Sequence, residues 1–171
     1  MSDLVRSFIA IEIPESVKNE LKNIQDSLNR GGFDIKFVEP SNIHLTLKFL
    51  GLVDVATLEN IKRALSVLAS KYSEFSSHLK GVGVFPDIRR PRVIWVDINK
   101  NEDKILEIYG DLESALYDLG FEKVDRPFKT HLTIGRMRSL KNIDKLQTIL
   151  DGINFNSKED FKISEISFFK P

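Results

Sequence analysis

Two short words in this chain carry residues that can do chemistry together: His44-Leu45-Thr46-Leu47 and His131-Leu132-Thr133-Ile134. They start 87 positions apart, about half of the 171-residue chain, and they use two of its three histidines. Imidazole titrates near neutral pH, so one histidine can remove a proton while another delivers one. A hydroxyl nearby can hydrogen-bond phosphoryl oxygens as they gain charge. On a strand, residues two apart share a face at roughly 7 Å. His44, Thr46 and Lys48 then face one way, while Ile43, Leu45, Leu47 and Phe49 turn to a core. His131 and Thr133 share the corresponding face, with Leu132 and Ile134 buried. The pattern describes two walls of one groove. The acid–base chemistry at phosphorus that it suits requires neither a metal, nor a cofactor, nor a covalent intermediate.

Other devices for phosphate or hydrolytic chemistry are missing from the sequence. There is no Gly-x-x-x-x-Gly-Lys-Ser/Thr loop for ATP and no His-Glu-x-x-His helix. Gly81-Val82-Gly83 lacks the third glycine of a dinucleotide fingerprint and reads as strand-breaking backbone. Aspartates and glutamates are scattered over helix surfaces rather than gathered as metal ligands. Cysteine is absent, which removes thiolate chemistry and disulfides and suits a reducing compartment.

The elements that must hold the two words are legible from periodicity. Leu4 to Ile13 reads as a buried strand. Pro14 opens a helix with Val17, Leu21, Ile24 and Leu28 on one face, and Gly31-Gly32 stops it. Lys36 to Val38 and Asn42 to Phe49 are extended. Asp54 caps a second helix carrying Leu58, Ile61, Leu65 and Leu68. Phe75 to Val84 is extended, Asp87 to Pro91 is a basic turn, and Val93 to Ile98 is a strand. Ile105, Ile108, Leu112, Leu116 and Leu119 make a third helix closed by Gly120. Phe121 to Val124 and Thr130 to Arg136 are extended, a short helix covers Ile143 to Leu150, and Phe161 to Phe168 is a last strand. This is an α+β chain of two similar halves, each a small sheet with helices on one face.

Bulk properties agree with a globular domain spanning residues 1–171: 42% hydrophobic, 29% charged. Zero net charge removes bulk attraction to nucleic acid or membrane, so any phosphate-binding surface must be local. No apolar run reaches the ~20 residues of a membrane span. The N-terminus, with Asp3 and Glu12, does not read as a signal peptide. A cytoplasmic protein is expected.

Several residues carry two readings. Lys48 is either a substrate contact or a solvated lysine. Arg89, Arg90 and Arg92 either hold an RNA strand or form a solvated turn. Phe37 and Trp95 can stack a base, but core packing is the simpler role. His78 has no repeat partner and reads as structural or surface. Arg136 falls on the face opposite His131 by strict alternation, and reaches the groove only if Gly135 permits a bulge or the strand ends there.

With these residues in view, the chain resembles the two-histidine phosphoesterases, and within them the RNA 2′,3′-cyclic phosphodiesterases also labelled 2′-5′ RNA ligases (LigT-like). The resemblance runs through Arg6-Ser7-Phe8-Ile9-Ala10-Ile11, Asn42 to Gly51, Gly81-Val82-Gly83-Val84-Phe85-Pro86, Pro91-Arg92-Val93-Ile94-Trp95-Val96 and His131 to Arg136. It implies a bilobal fold: two pseudo-symmetric lobes, each a small mainly antiparallel sheet with helices on its outer face, around a central cleft. It implies a monomer that hydrolyses RNA 2′,3′-cyclic phosphate ends to 2′-phosphate, and ATP-independent 2′-5′ joining of tRNA halves. By position, His44 matches the proton donor, His131 the proton acceptor, Thr46 and Thr133 the phosphate-binding hydroxyls, and Arg136 an arginine near the substrate phosphate, which favours the bulge. Lys48, Arg89 and Arg90 are further candidate substrate contacts. Members continue past the last strand with a Ser/Thr-x-Leu-x-Pro-x-Gly stretch and another strand. This chain ends Phe168-Phe169-Lys170-Pro171, so contacts from such a strand are not carried over. The alternative is a non-catalytic module that binds nucleotides or RNA ends in the same cleft.

Overall fold

A computed structural model describes residues 3–169. Its elements are β1 (Leu4–Ile11), α1 (Glu15–Asn29), β2 (Ile35–Phe37), β3 (Leu45–Asp54), α2 (Val55–Ala69), β4 (Phe75–Ser77), β5 (Leu79–Phe85), β6 (Val93–Ile98), α3 (Glu102–Asp118), β7 (His131–Met137), α4 (Leu146–Gly152), β8 (Phe161–Ile163) and β9 (Ile166–Phe169). Single 3-10 turns lie at Pro40–Asn42 and Ile143–Lys145.

The helices form where an apolar stripe meets a stop or cap signal. In α1, Val17, Leu21, Ile24 and Leu28 are buried at helical spacing, with Pro14 at the N-cap. The Asp54 carboxylate caps α2 by accepting from the Thr57 amide at 2.8 Å. At the end of α3, Gly120 takes the left-handed conformation (φ +96°), and the Phe121 amide donates back to the Leu116 carbonyl at 3.0 Å. That back-bond satisfies one of the free carbonyls of the last turn.

The strands build two principal sheets, of order β3-β1-β9 and β2-β7-β6-β5, plus the pair β4-β8, all antiparallel among the described residues. Each principal sheet takes a strand from the far part of the chain. β9 pairs with β1, Phe8 opposite Phe169, and β2 pairs with β7, Phe37 opposite Gly135. Helix α2 packs on β3 and β9, and against α3, while α1 packs on β7. Gln25, buried on α1, donates to the Val38 carbonyl at 2.7 Å and the Ile134 carbonyl at 2.9 Å, bolting the helix to the second sheet. One core joins both sheets, with Ile9, Ile11 and Leu45 from the first and Ile94, Val96, Leu132 and Ile134 from the second fully or almost fully buried. The result is a two-lobed α+β molecule. No helix among the described residues is long and apolar enough to cross a membrane.

Three expectations are corrected. Phe121 to Val124 is not extended in a sheet but belongs to the loop between α3 and β7. The last strand is two short ones, because β8 pairs with β4 and β9 with β1. The first motif strand begins at Leu45 and continues to Asp54, past the expected Phe49.

Candidate active site

The two words share a backbone irregularity at the same place. On β3, Ile9 faces Lys48 and Ala10 faces Thr46, so Leu47 is an extra residue. On β7, Ile94 faces Gly135 and Trp95 faces Thr133, so Ile134 is an extra residue. Each bulge sits three residues beyond its histidine and resets the alternation. Leu47 and Lys48 are both buried, and Phe49 emerges at 76% exposure, where alternation placed it in the core. The bulge expected before Arg136 is present. Arg136 is exposed and lies opposite Val93, which lines the same cavity as Thr133 and Trp95.

That cavity has a volume of about 690 Å³. Thr46, Lys48 and Phe49 of β3 line one side, and His131, Thr133, Trp95 and Val93 of the second sheet line another, whereas the expected site residues His44 and Arg136 are not among the lining residues. Phe85 and Tyr109 complete it together with the loop residues Phe121, Glu122, Val124, Arg126, Phe128 and Lys129. The facing placement of Thr46 against His131 and Thr133 is what two strand words alone do not guarantee.

The imidazoles have different surroundings. His44 stacks on Phe8 (centroids 5.0 Å apart) and on Phe169 (4.8 Å). Burial pushes its pKa below the ordinary value, and the positive charge of Lys18 pushes it further. His131 stacks on the Trp95 indole at 3.9 Å, nearly parallel. Gly83 makes room for that indole, since a Cβ there would run into the ring. The Nε2 atom of His131 lies 3.6 Å from Asp97 Oδ1. Burial lowers the His131 pKa, the Asp97 carboxylate holds it up, Lys129 presses it down and Glu102 raises it.

Lys48 has a structural partner. Its ammonium is 2.8 Å from Glu113 Oε1, and both side chains are only 7% exposed. It also donates to the Glu122 carbonyl at 2.7 Å, and the Val124 amide donates to Glu113 Oε2 at 2.9 Å. This buried pair fastens the loop after α3 to β3. The simple picture of Lys48 as a groove-facing side chain free for substrate is therefore corrected, although the residue does border the cavity.

Arg89 and Arg90 lie on the turn between β5 and β6, their amides bound to Asp87 Oδ1 at 2.8 and 3.1 Å. Their side chains are exposed, and they are outside the cavity lining. Trp95, expected as core packing, instead supports His131. His78 contacts Asp160 (2.9 Å) and Asn156 (2.6 Å) through its two ring nitrogens. Ser157 beside it is buried and bonded to backbone at the Leu79 amide and the Glu159 carbonyl, so the trio fastens a loop and exposes no nucleophile. Among the described residues no group of three His, Asp or Glu side chains is placed to hold a metal.

Sequence reasoning missed Asp97, Lys18, Phe8, Phe49 and the loop 121–130. Asp97 was within reach: Val93, Trp95 and Asp97 alternate with the buried Ile94, Val96 and Ile98, putting an acid on the His131 face.

Two antiparallel sheets, each carrying a bulged His-x-Thr word whose threonine lines one cavity, define a two-histidine phosphoesterase. The chain belongs to the LigT-like phosphoesterase family, whose model matches it twice, at residues 11–95 and 96–171. It is 35% identical over 167 residues to an RNA 2′,3′-cyclic phosphodiesterase of Methanocaldococcus jannaschii, covering 97% of this chain and 91% of that one. A protein of the same name from Methanothermobacter thermautotrophicus is 32% identical over 163 residues, covering 95% and 88%. Among solved structures, one from Thermus thermophilus superposes with a TM-score of 0.77 at 24% identity, over 95% of this chain and 86% of that one. Escherichia coli LigT with 3′-AMP superposes at 0.69 and 22% identity, over 98% and 88%. At that identity these two speak for the fold alone.

Proposed function

We propose that the chain, acting as one bilobal domain, is an RNA 2′,3′-cyclic phosphodiesterase that opens the cyclic phosphate to a 2′-phosphate by paired histidine catalysis. The observation that carries this reading is the repeated, bulged His-x-Thr word, of which Thr46, His131 and Thr133 line one cavity while His44 stands just before β3. The curated relatives of that name, matched over nearly their whole length, support it.

In the proposed reaction a water oxygen attacks phosphorus while His131 accepts the water proton. The bond from phosphorus to the 3′-oxygen breaks, and His44 delivers a proton to that oxygen. The product carries a 2′-phosphate and a 3′-hydroxyl. The Thr46 and Thr133 hydroxyls donate to the non-bridging oxygens, and the Arg136 guanidinium balances their charge. The exposed ring of Phe49 offers a stacking face to the base. With a 5′-hydroxyl in place of water, the same groups catalyse the same displacement of the 3′-oxygen and join tRNA halves through a 2′-5′ bond. Arg89 and Arg90 stand beyond the cavity, where a longer RNA strand would pass. A monomer in the cytoplasm is the form proposed, and a chain without cysteine suits that reducing setting.

The test is turnover of adenosine 2′,3′-cyclic phosphate in EDTA, followed by phosphorus NMR. Expected is a single 2′-phosphate product. Tight binding with no turnover would instead select a non-catalytic end-binding module, and turnover only with added metal would overturn the mechanism.

A further inference from the structure

We infer that Asp97 is a positioning residue for His131, forming with Trp95 a two-sided clamp that stabilises the protonated imidazole and makes the two histidines chemically unequal. This rests on the phosphodiesterase reading for its consequence in catalysis, but not for its geometry.

Asp97 and His131 are direct partners across the β6–β7 pairing. The carboxylate reaches to 3.6 Å of Nε2, while the Trp95 indole covers the ring face at 3.9 Å. One contact limits tilt and the other limits rotation. Burial works against a charged imidazole, and an adjacent carboxylate works for it. The other charged and titratable neighbours come from three elements. α3 supplies Glu102 and Tyr109, and the loop before β7 supplies Glu122, Arg126 and Lys129. β3 supplies Lys48, whose charge is already paired with Glu113. Glu102 acts in the same direction as Asp97, held in place by a 2.7 Å bond from Thr130 Oγ1.

The His44 wall has no such carboxylate among its charge influences. Phe8 and Phe169 flank the ring, and the charge that acts on it is the positive Lys18. Proton transfer from water to His131 leaves an imidazolium beside a carboxylate, whereas proton loss from His44 removes a positive charge from the field of another. The whole transfer from the first wall to the second is then favoured electrostatically, by an acid that is itself 40% exposed.

The experiment follows the imidazole resonances of the full chain by NMR against pH, which requires no substrate. In the wild type, His131 is expected to titrate above His44. In Asp97→Asn, His131 should move down by about one pH unit while His44 stays in place, and Asp97→Glu should restore most of it. In kinetics on adenosine 2′,3′-cyclic phosphate, Asp97→Asn should shift the optimum of kcat/KM down by about half that amount, because the optimum lies midway between the two titrations. KM should change by less than about twofold, with the loss appearing in kcat. An unmoved His131 titration, or an equal movement of His44, overturns the inference. So does a loss of activity in Asp97→Asn that Asp97→Glu does not rescue. A wild type that titrates as expected yet turns over no cyclic phosphate overturns the functional reading and leaves the clamp standing.

Discussion

The His44 wall and the His131 wall share a backbone and differ in their furniture. Both present His-x-Thr, and both insert an extra residue at the third position after the histidine, Leu47 in one and Ile134 in the other. Beyond the bulge they diverge. The fourth position is Lys48 in the first wall, tied to Glu113, and Gly135 in the second, which Ile35 approaches so closely that a Cβ would meet it at 2.9 Å. The fifth is the exposed Phe49 in one and the exposed Arg136 in the other. Around the rings, phenylalanines and Lys18 attend His44, while Trp95 and Asp97 attend His131. The duplicated strand geometry thus holds two similarly placed histidines whose neighbours do not match: an exposed aromatic face on one side and an exposed positive charge on the other.

The largest effect that can break this comparison comes from the histidines. His44→Ala and His131→Ala should each lower kcat by about 10²- to 10⁴-fold with the fold retained by circular dichroism. On a nucleoside 2′-(4-nitrophenyl phosphate), where attack by the 3′-hydroxyl is the reverse of ring opening and the leaving group requires no proton, the roles exchange: His131→Ala should recover much of its activity and His44→Ala, which removes the base, should not. Recovery by His44→Ala instead would exchange donor and acceptor.

Next, Thr46→Ala and Thr133→Ala should each cost about 10²-fold in kcat if each hydroxyl serves the charge of the transition state. An effect from only one of them would show that the walls share the phosphate unequally.

The buried pair is specific to the first wall. Lys48→Met leaves Glu113 buried without its cation, and should destabilise the protein by about 3–5 kcal/mol in urea unfolding. Lys48→Met combined with Glu113→Leu should recover a large part of that loss, because two apolar side chains leave no charge behind.

Phe49→Ala should raise KM for adenosine 2′,3′-cyclic phosphate by about 5- to 150-fold, from about 1–3 kcal/mol of lost stacking, with kcat little changed. Phe49→Tyr should bind nearly as well as the parent.

The smallest effect is in the pH profile. Both imidazoles are held below the ordinary value near 6.5, chiefly by burial. The kcat/KM optimum, midway between them, should therefore lie on the acid side of about 6.5. Lys18→Met removes a charge that lowers His44, so the optimum should move up, the opposite direction to Asp97→Asn. A shift of the same sign in both variants would mean that the walls are not electrostatically distinct.

Much of the architecture is legible in the sequence because periodicity reports burial directly. Val17, Leu21, Ile24 and Leu28 mark α1, Asp54 marks the start of α2, and the strand Val93–Ile98 has the ends its pattern predicts. The misreadings have local causes. Strict alternation misplaces Phe49 and Lys48 because a one-residue bulge inverts it, and nothing in Leu47-Lys48 announces a bulge. At Arg136 the preceding glycine does signal one. Phe121 to Val124 has a strand-like composition, yet its backbone is held by Glu113 rather than by a neighbouring strand. Phe161 to Phe168 looks continuous because composition does not reveal that its two ends pair with different strands.

The sequence by itself determined the candidate reactive groups, their spacing and the face each would take at the start of its strand, because side-chain alternation and residue chemistry are local properties. It also determined the duplication, since two matching words are visible without any coordinates. Only the tertiary structure decided that sheets exchange strands between the chain's halves, that a bulge brings Phe49 to the cleft, and that Lys48 turns to Glu113. It alone placed Asp97 against one histidine and Lys18 near the other. Those outcomes depend on pairings between residues far apart in the chain, where the free energy of closing a loop and burying a shared core selects one register among many that the local pattern allows.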